Sequence, residues 1–200
     1  MRRLPLLFAS VLLLGGTACT SLYSDILRQD DPRLLVEVAP GYRLPYPDTP
    51  EGFLLLQGVG GNFSHRGRNT WSFDWAMPEG TPVLAARGGT VEHVEMDHGN
   101  QGGPLRLRKA NLLKIRHDDG TLGVYAHLSQ DSARVREGDR VAVGTPIAAS
   151  GNTGFSTEPH LHFHTEDAEG RSIPISFFDC PEGNHIPRAG RRYRATIPLN

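Results

Sequence analysis

Cysteine is scarce in this sequence: 200 residues carry two, Cys19 and Cys180, and neither belongs to a CxxC pair. A metal site built on paired thiolates is therefore excluded. A strong net charge is missing as well, with 21 basic residues against 22 acidic ones. No basic face is implied, and nucleic acid is not an expected partner. The most apolar run, Leu4–Leu14, falls short of the roughly 20 residues that a membrane-spanning helix needs. No internal repeat is present. The length is enough for one domain with a real core.

Glycine and proline are abundant, at 23 and 15 residues. That composition favours short strands joined by turns over a helical bundle. Short apolar runs alternate with turn signals at Phe53–Gln57, Pro82–Ala86, Val91–Glu95, Leu112–His117, Leu122–His127, Val141–Val143, Ile147–Ala149 and Leu161–Thr165. Hairpin-type turns stand at Gly88-Gly89, Asp118-Asp119-Gly120 and Glu137-Gly138-Asp139. Leu34–Val38 reads as one more strand, and polar, Gly-rich Asp97–Ala110 as a long loop. The fold class is all-β, antiparallel.

The N-terminus reads as an export signal: Met1-Arg2-Arg3 is positive, Leu4–Leu14 apolar, and small residues follow. Gly16-Thr17-Ala18 fits ordinary cleavage, whereas Ala18-Cys19 resembles a lipoprotein cleavage site with Gly16 where such signals usually carry Leu. Lipidation of Cys19 would hold the protein to a membrane surface and leave Cys180 single. Without it, a Cys19–Cys180 disulfide is open to an exported chain. The expected organisation is a signal over 1–18, a tether over 19–51, the domain over 52–180 and an irregular tail over 181–200.

Chemistry concentrates in a few of the nine histidines. In Pro159-His160-Leu161-His162-Phe163-His164, strand alternation puts the three imidazoles on one face and Leu161 and Phe163 on the other. Three buried imidazoles are costly without partners, and a metal or hydrogen-bonded site relieves that cost. A solvated surface strand is the plain alternative, and spacing alone does not say which of the three binds metal. Asp74 sits between Phe73 and Trp75, ahead of a turn and a strand. It reads either as a turn cap or as an oxygen ligand, and two His plus a carboxylate is a recurrent catalytic zinc set. The tryptophans Trp71 and Trp75 on either side of it fit a substrate groove or, more commonly, a core.

These pieces resemble the lysostaphin-like (LytM-type) zinc metallopeptidases that cleave peptidoglycan peptides. The matching residues are His65 and Asp74 with Gly80-Thr81-Pro82-Val83, then Tyr125-Ala126-His127-Leu128, then Ser150-Gly151-Asn152-Thr153-Gly154 leading into Pro159-His160-Leu161-His162-Phe163. The resemblance implies a sandwich-like catalytic domain with a loop-shaped groove and one Zn2+ per chain. It makes His65, Asp74 and His162 the zinc ligands and His127 and His160 the catalytic histidines, either of which serves as base or oxyanion stabiliser. His65 and Asp74 are nine residues apart where many relatives have four, and Thr70 occupies the four-residue offset. His164 stands where relatives carry an acidic or other polar residue, and it either orients a neighbour or is plain surface. Asn111 opens a strand where relatives often have Asn near the cleft. His93, His98, His117 and His185 take ordinary roles on strand faces, in the loop, at a strand end and in the tail.

The resemblance and the export signal together imply a zinc endopeptidase acting on stem or cross-bridge peptides in the cell envelope. The His65–Phe73 and Asp97–Ala110 loops would set its specificity. A non-hydrolytic regulator of other wall hydrolases and a peptidase of exported proteins are the competing readings. The intact ligand set speaks against the regulator.

Overall fold

The computed structural model describes residues 36, 38, 41–103, 105–106 and 109–196. Ten strands follow in order: β1 (Phe53–Gln57), β2 (Ser72–Ala76), β3 (Pro82–Leu84), β4 (Gly89–Glu95), β5 (Leu112–Arg116), β6 (Leu122–Ala126), β7 (Arg140–Val141), β8 (Pro146–Ala149), β9 (His160–Glu166) and β10 (Arg192–Tyr193). Eight form one sheet in the order β10-β1-β2-β9-β6-β5-β4-β7, and β3 pairs with β8 in a second. Every pairing between these strands is antiparallel. The all-β expectation holds, and the only helical element among the described residues is a single 3-10 turn at Gly67–Asn69.

Alternation along β2 and β9 sends Phe73, Trp75, Leu161 and Phe163 into one core, shared with Val83, Ile147 and Ala148 of the small sheet. The aromatic rings meet edge-on: Phe73 and Trp75 each contact Phe177, at centroid distances of 5.2 and 6.3 Å. Such pairs add to the apolar area they bury. The other face of β2 and β9 carries Ser72, Asp74, His160, His162 and His164. All five are buried, so this polar row must be satisfied internally.

Three sequence-based expectations change. The packed body begins before residue 52, because Tyr42, Leu44 and Tyr46 are core residues and the Arg43 amide donates to the Ala86 carbonyl at 2.8 Å. It also continues past 180: Tyr193 of β10 pairs with Phe53 of β1 and is buried, as are Ile186 and Ala195. Both segments pack through isolated residues between prolines and charges, which gives no period to read. β2 lies outside the expected strands: Ser-Phe-Asp-Trp alternates polar and apolar residues, but the run is short and its polar face is buried rather than solvated. The proposed strand Leu34–Val38 lies largely outside the described residues, and Val36 and Val38 belong to no strand. The signal segment and Cys19 lie outside them too, while Cys180 is a buried free thiol.

His117 is also more than a strand end. Its Nδ1–H donates to the Gly88 carbonyl at 2.8 Å, and its ring edge meets Tyr42. Gly123 lies beneath it: a Cβ there would stand 2.9 Å from Nε2. Burial pushes this imidazole below its ordinary value near 6.5, against the opposing pull of the Gly88 hydrogen bond. The unfolded chain therefore binds a proton below that pH that the folded chain refuses. His117 stabilises the fold fully above pH 6.5 and progressively less as pH falls toward its folded value. Urea unfolding of the wild type should weaken between pH 7.5 and 5 more than that of His117→Gln, by up to ~1.4 kcal/mol per pH unit of the window. Equal slopes for the two proteins would refute this.

Candidate active site and metal centre

Strand register builds the site. Gln57 of β1 lies across from Asp74 of β2, Asp74 across from His162 of β9, and His162 across from Ala126 of β6. His160 sits opposite Ala76, and His127 follows the last residue of β6. The loop after β1 brings in His65, which is wholly buried. His65 Nε2 is 3.0 Å from Asp74 Oδ2, and His162 Nδ1 is 2.7 Å from Asp74 Oδ1. One donor atom from each of the three side chains falls within a 4.8 Å spread.

The donor set suits a divalent cation. His65 Nδ1 donates to the Gly58 carbonyl at 2.8 Å, which fixes the ring with Nε2 toward the carboxylate. Burial pushes Asp74 upward, but the charges and hydrogen bonds of His65 and His162 outweigh it and hold the carboxyl well below its ordinary range. Burial in turn pushes His162 down to about 4. An ionised carboxylate between two imidazoles offers the oxygen and nitrogen donors that a divalent cation takes. Two His and one carboxylate is also the set of a catalytic zinc site with an open position.

His127 and His160 flank this centre, their ring centroids 4.5 Å apart. His127 adopts a left-handed backbone, φ 63°, which is uncommon for a residue with a side chain and turns it out of β6. Its Nδ1–H donates to the Thr153 carbonyl at 2.6 Å. His160 Nδ1–H is shared between the Glu158 carbonyl at 2.8 Å and the Ser156 hydroxyl at 3.1 Å. Both rings are thereby held with Nδ1 as donor, which leaves Nε2 as a lone pair; that of His160 is 3.9 Å from Asp74 Oδ1. Burial first, then the neighbouring His160 and His162, pushes His127 down to about 3. Burial thus favours the neutral form of this ring.

Asn111 is brought near this centre in a different role from the cleft position that was expected. It is fully buried, and its amide group bonds the His98 amide, the His98 carbonyl and the Leu128 carbonyl. Its own backbone N–H donates to Thr153 Oγ1 at 2.9 Å. Asn111 thus braces the residue whose carbonyl aims His127. His164 lies against His162, with His162 Nε2 2.9 Å from His164 Nδ1. Its far nitrogen reaches Glu166 Oε1 at 3.2 Å, and that hydrogen bond is the main reason the Glu166 carboxyl falls to about 2. Thr70 closes its own turn on the Gly67 carbonyl.

Sequence reasoning missed Gln57. Its Nε2 donates to Asp74 Oδ2 and to Ser64 Oγ, both at 2.8 Å, and its Oε1 accepts from the Phe63 and Ser64 amides. A Cβ at Gly61 would fall 2.2 Å from Gln57 Cγ, so only glycine lets the loop close over this amide. Gln57 thus ties the loop that leads from β1 into His65 to the Asp74 carboxylate. A glutamine ending the otherwise apolar Phe-Leu-Leu-Leu was the visible signal.

A family model described as Peptidase family M23 matches residues 68–174. The chain belongs to this family. The M23 match covers His127, Asp74 and the β9 histidines and begins just after His65. A metalloprotease of Haemophilus influenzae is 41% identical over 100 residues, 50% of this chain and 19% of that protein. The glycyl-glycine endopeptidase ALE-1 of Staphylococcus capitis is 41% identical over 98 residues, 48% of this chain and 24% of its own length. The peptidoglycan DD-endopeptidase ShyA of Vibrio cholerae is 33% identical over 115 residues, 58% of this chain and 24% of its own length. The chain thus spans about a quarter or less of these relatives. Among solved structures, the catalytic domain of the M23 protein EnpA from Enterococcus faecalis has a TM-score of 0.49 at 24% identity, covering 64% of this chain and 92% of that one.

In this M23 domain, Gln57→Ala would remove the partner of two loop amides and of Asp74 Oδ2. Amide exchange across residues 61–66 should quicken at least ~10-fold, while β5 and β6 keep their protection. Unchanged loop exchange would rule out Gln57 as the brace.

Proposed function

We propose that this chain is a zinc-dependent endopeptidase that hydrolyses peptide bonds in peptidoglycan stem or cross-bridge peptides. The observation that carries the reading is the convergence of two pre-aimed imidazole lone pairs, on His127 and His160, beside the His65–Asp74–His162 donor set. Zinc, held by those three side chains, supplies Lewis-acid polarisation of the scissile carbonyl and eases deprotonation of water.

The protein's own groups do the rest. With Nδ1–H tied to a backbone carbonyl, His127 or His160 accepts a proton from the attacking water at Nε2. Only then does that nitrogen become a donor, able to pass the proton to the departing amine. The carbonyls of Thr153 and Glu158 hold the rings through both transfers. The names of ALE-1 and ShyA supply the substrate class, and the intact donor set favours hydrolysis over a purely regulatory role.

The place of action proposed is the cell envelope, reached by the N-terminal signal and kept by a lipid on Cys19. This part rests on the sequence. Among the described residues no helix is long and apolar enough to cross a membrane.

Intact sacculi incubated with the protein should release uncross-linked peptides, read by mass spectrometry, and a chelator should stop the release. Zinc bound without any release would instead point to a regulator or to a peptidase of exported proteins. His162→Ala and Asp74→Ala should lose zinc and activity together. His127→Ala and His160→Ala should keep zinc and lose ~10²–10⁴-fold in rate. Full zinc occupancy in His162→Ala would remove that residue from the ligand set. Cys19→Ala should move the protein from the membrane to the soluble fraction; an unchanged fraction speaks against the lipid.

A further inference from the structure

Two phenylalanines stand apart from the core. Phe63 is 56% exposed and Phe155 is partly exposed, and neither belongs to the apolar cluster between the sheets. Their rings stack on each other, with centroids 5.3 Å apart and planes 8° from parallel. Phe63 lies on the loop after β1, two residues before His65. Phe155 lies on the loop before β9, two residues after Thr153. One loop delivers His65 to the donor set, and the other carries the carbonyl that aims His127. The ring pair joins these two loops beside the site.

Both rings stand on fixed backbone. The Phe63 amide donates to Gln57 Oε1 at 2.9 Å. On the other loop the Gly154 carbonyl accepts from the Gly103 amide at 3.0 Å, and a Cβ at Gly154 would fall 2.6 Å from Ala110 Cβ. Ser156, the next residue after Phe155, places its hydroxyl 3.1 Å from His160 Nδ1. Phenyl surface left in water gains by meeting another apolar group. A stack already held in place gains that contact with little further loss of freedom. A carboxylate pressed on the same rings would lose its water and meet negative ring faces. A glycine brings no side chain at all.

We infer that Phe63 and Phe155 are specificity-determining residues, their stacked rings forming a shelf beside the scissile bond for a small apolar side chain such as that of alanine. The inference rests on the proposed peptidase reading and narrows it: bonds flanked by alanine are the substrates, and runs of glycine are not. It also places part of the specificity outside the two loops singled out by sequence, because Phe63 and Phe155 belong to neither His65–Phe73 nor Asp97–Ala110.

The test uses full-length, zinc-loaded protein and synthetic peptides, with and without attached sugar, in which one residue flanking the cut bond is alanine, glycine or glutamate. The wild type should cleave the alanine peptide with a kcat/KM at least ~10-fold above the other two. Phe63→Ala and Phe155→Ala should each lose ~10-fold on the alanine peptide, chiefly through KM, and change less than ~3-fold on the glycine peptide. Phe63→Leu and Phe155→Leu, which keep apolar bulk without the ring, should fall between. Zinc content should stay at the wild-type level in all four variants. A second readout is calorimetric binding to the uncleaving His127→Ala variant: adding Phe63→Ala should raise Kd for the alanine peptide ~10-fold and leave the glycine peptide unchanged. An equal loss on all three peptides, or no loss on any, would reduce the stack to a tie between loops and overturn the shelf. A loss confined to the sugar-linked peptides would assign the rings to the glycan and overturn it as well. Cleavage without preference for alanine sinks the shelf alone. If the wild type cleaves none of the peptides and releases nothing from sacculi, the peptidase reading falls and the shelf with it.

Discussion

Antiparallel pairing of β2 with β9 sets Asp74 directly across from His162, and the arrangement of the site follows from that one register. A slip of one residue would send Asp74 and the three β9 histidines into the aromatic core and bring Phe73, Trp75, Leu161 and Phe163 to the polar face. The two faces therefore enforce each other. Stacked and edge-on rings on one side leave the strands no alternative alignment, and the aligned strands bring two donors together without help from any loop. Only His65 depends on a loop, and there Gln57 ties the incoming chain to the carboxylate it must meet.

Charge is distributed around this register with economy. Each imidazole near Asp74 has one nitrogen tied to a fixed partner: Gly58 for His65, Thr153 for His127, Glu158 for His160 and His164 for His162. Backbone carbonyls serve three of these four, and they are partners whose polarity cannot reverse. The exception is His162, whose Nε2 meets another imidazole, His164. His164 in turn reaches the Glu166 carboxylate, which Lys114 holds.

Much of this was legible beforehand because it depends on period and residue type. His-Leu-His-Phe-His could only be a strand with one chemical face, and eight of the ten strands fell on runs whose apolar residues alternate or cluster between turns. β2 escaped because its alternation, Ser-Phe-Asp-Trp, spans only two apolar residues and its polar face turns out to be buried. The segments around Tyr42–Tyr46 and Arg192–Tyr193 escaped because they contribute single anchors to a core assembled elsewhere. Gln57 was hidden for another reason: a glutamine has no chemistry of its own, and its importance lies in which four groups surround it. Asn111 resembles it in this, a side chain whose proximity to the site reflects bracing and not contact with a ligand.

The main sheet ends on both sides in strands of two residues, β7 and β10, each containing an arginine. Long open edges invite another strand to add by main-chain hydrogen bonding, and short charged ones do not. The ends of the main sheet are thereby poor templates for an added strand. Under the proposed function, a peptide would be gripped by side chains and loop backbone around the histidine row, where fit depends on loop shape. In that reading recognition and catalysis fall to different parts of the chain: the strands hold the reactive groups still, and the surrounding loops set the fit.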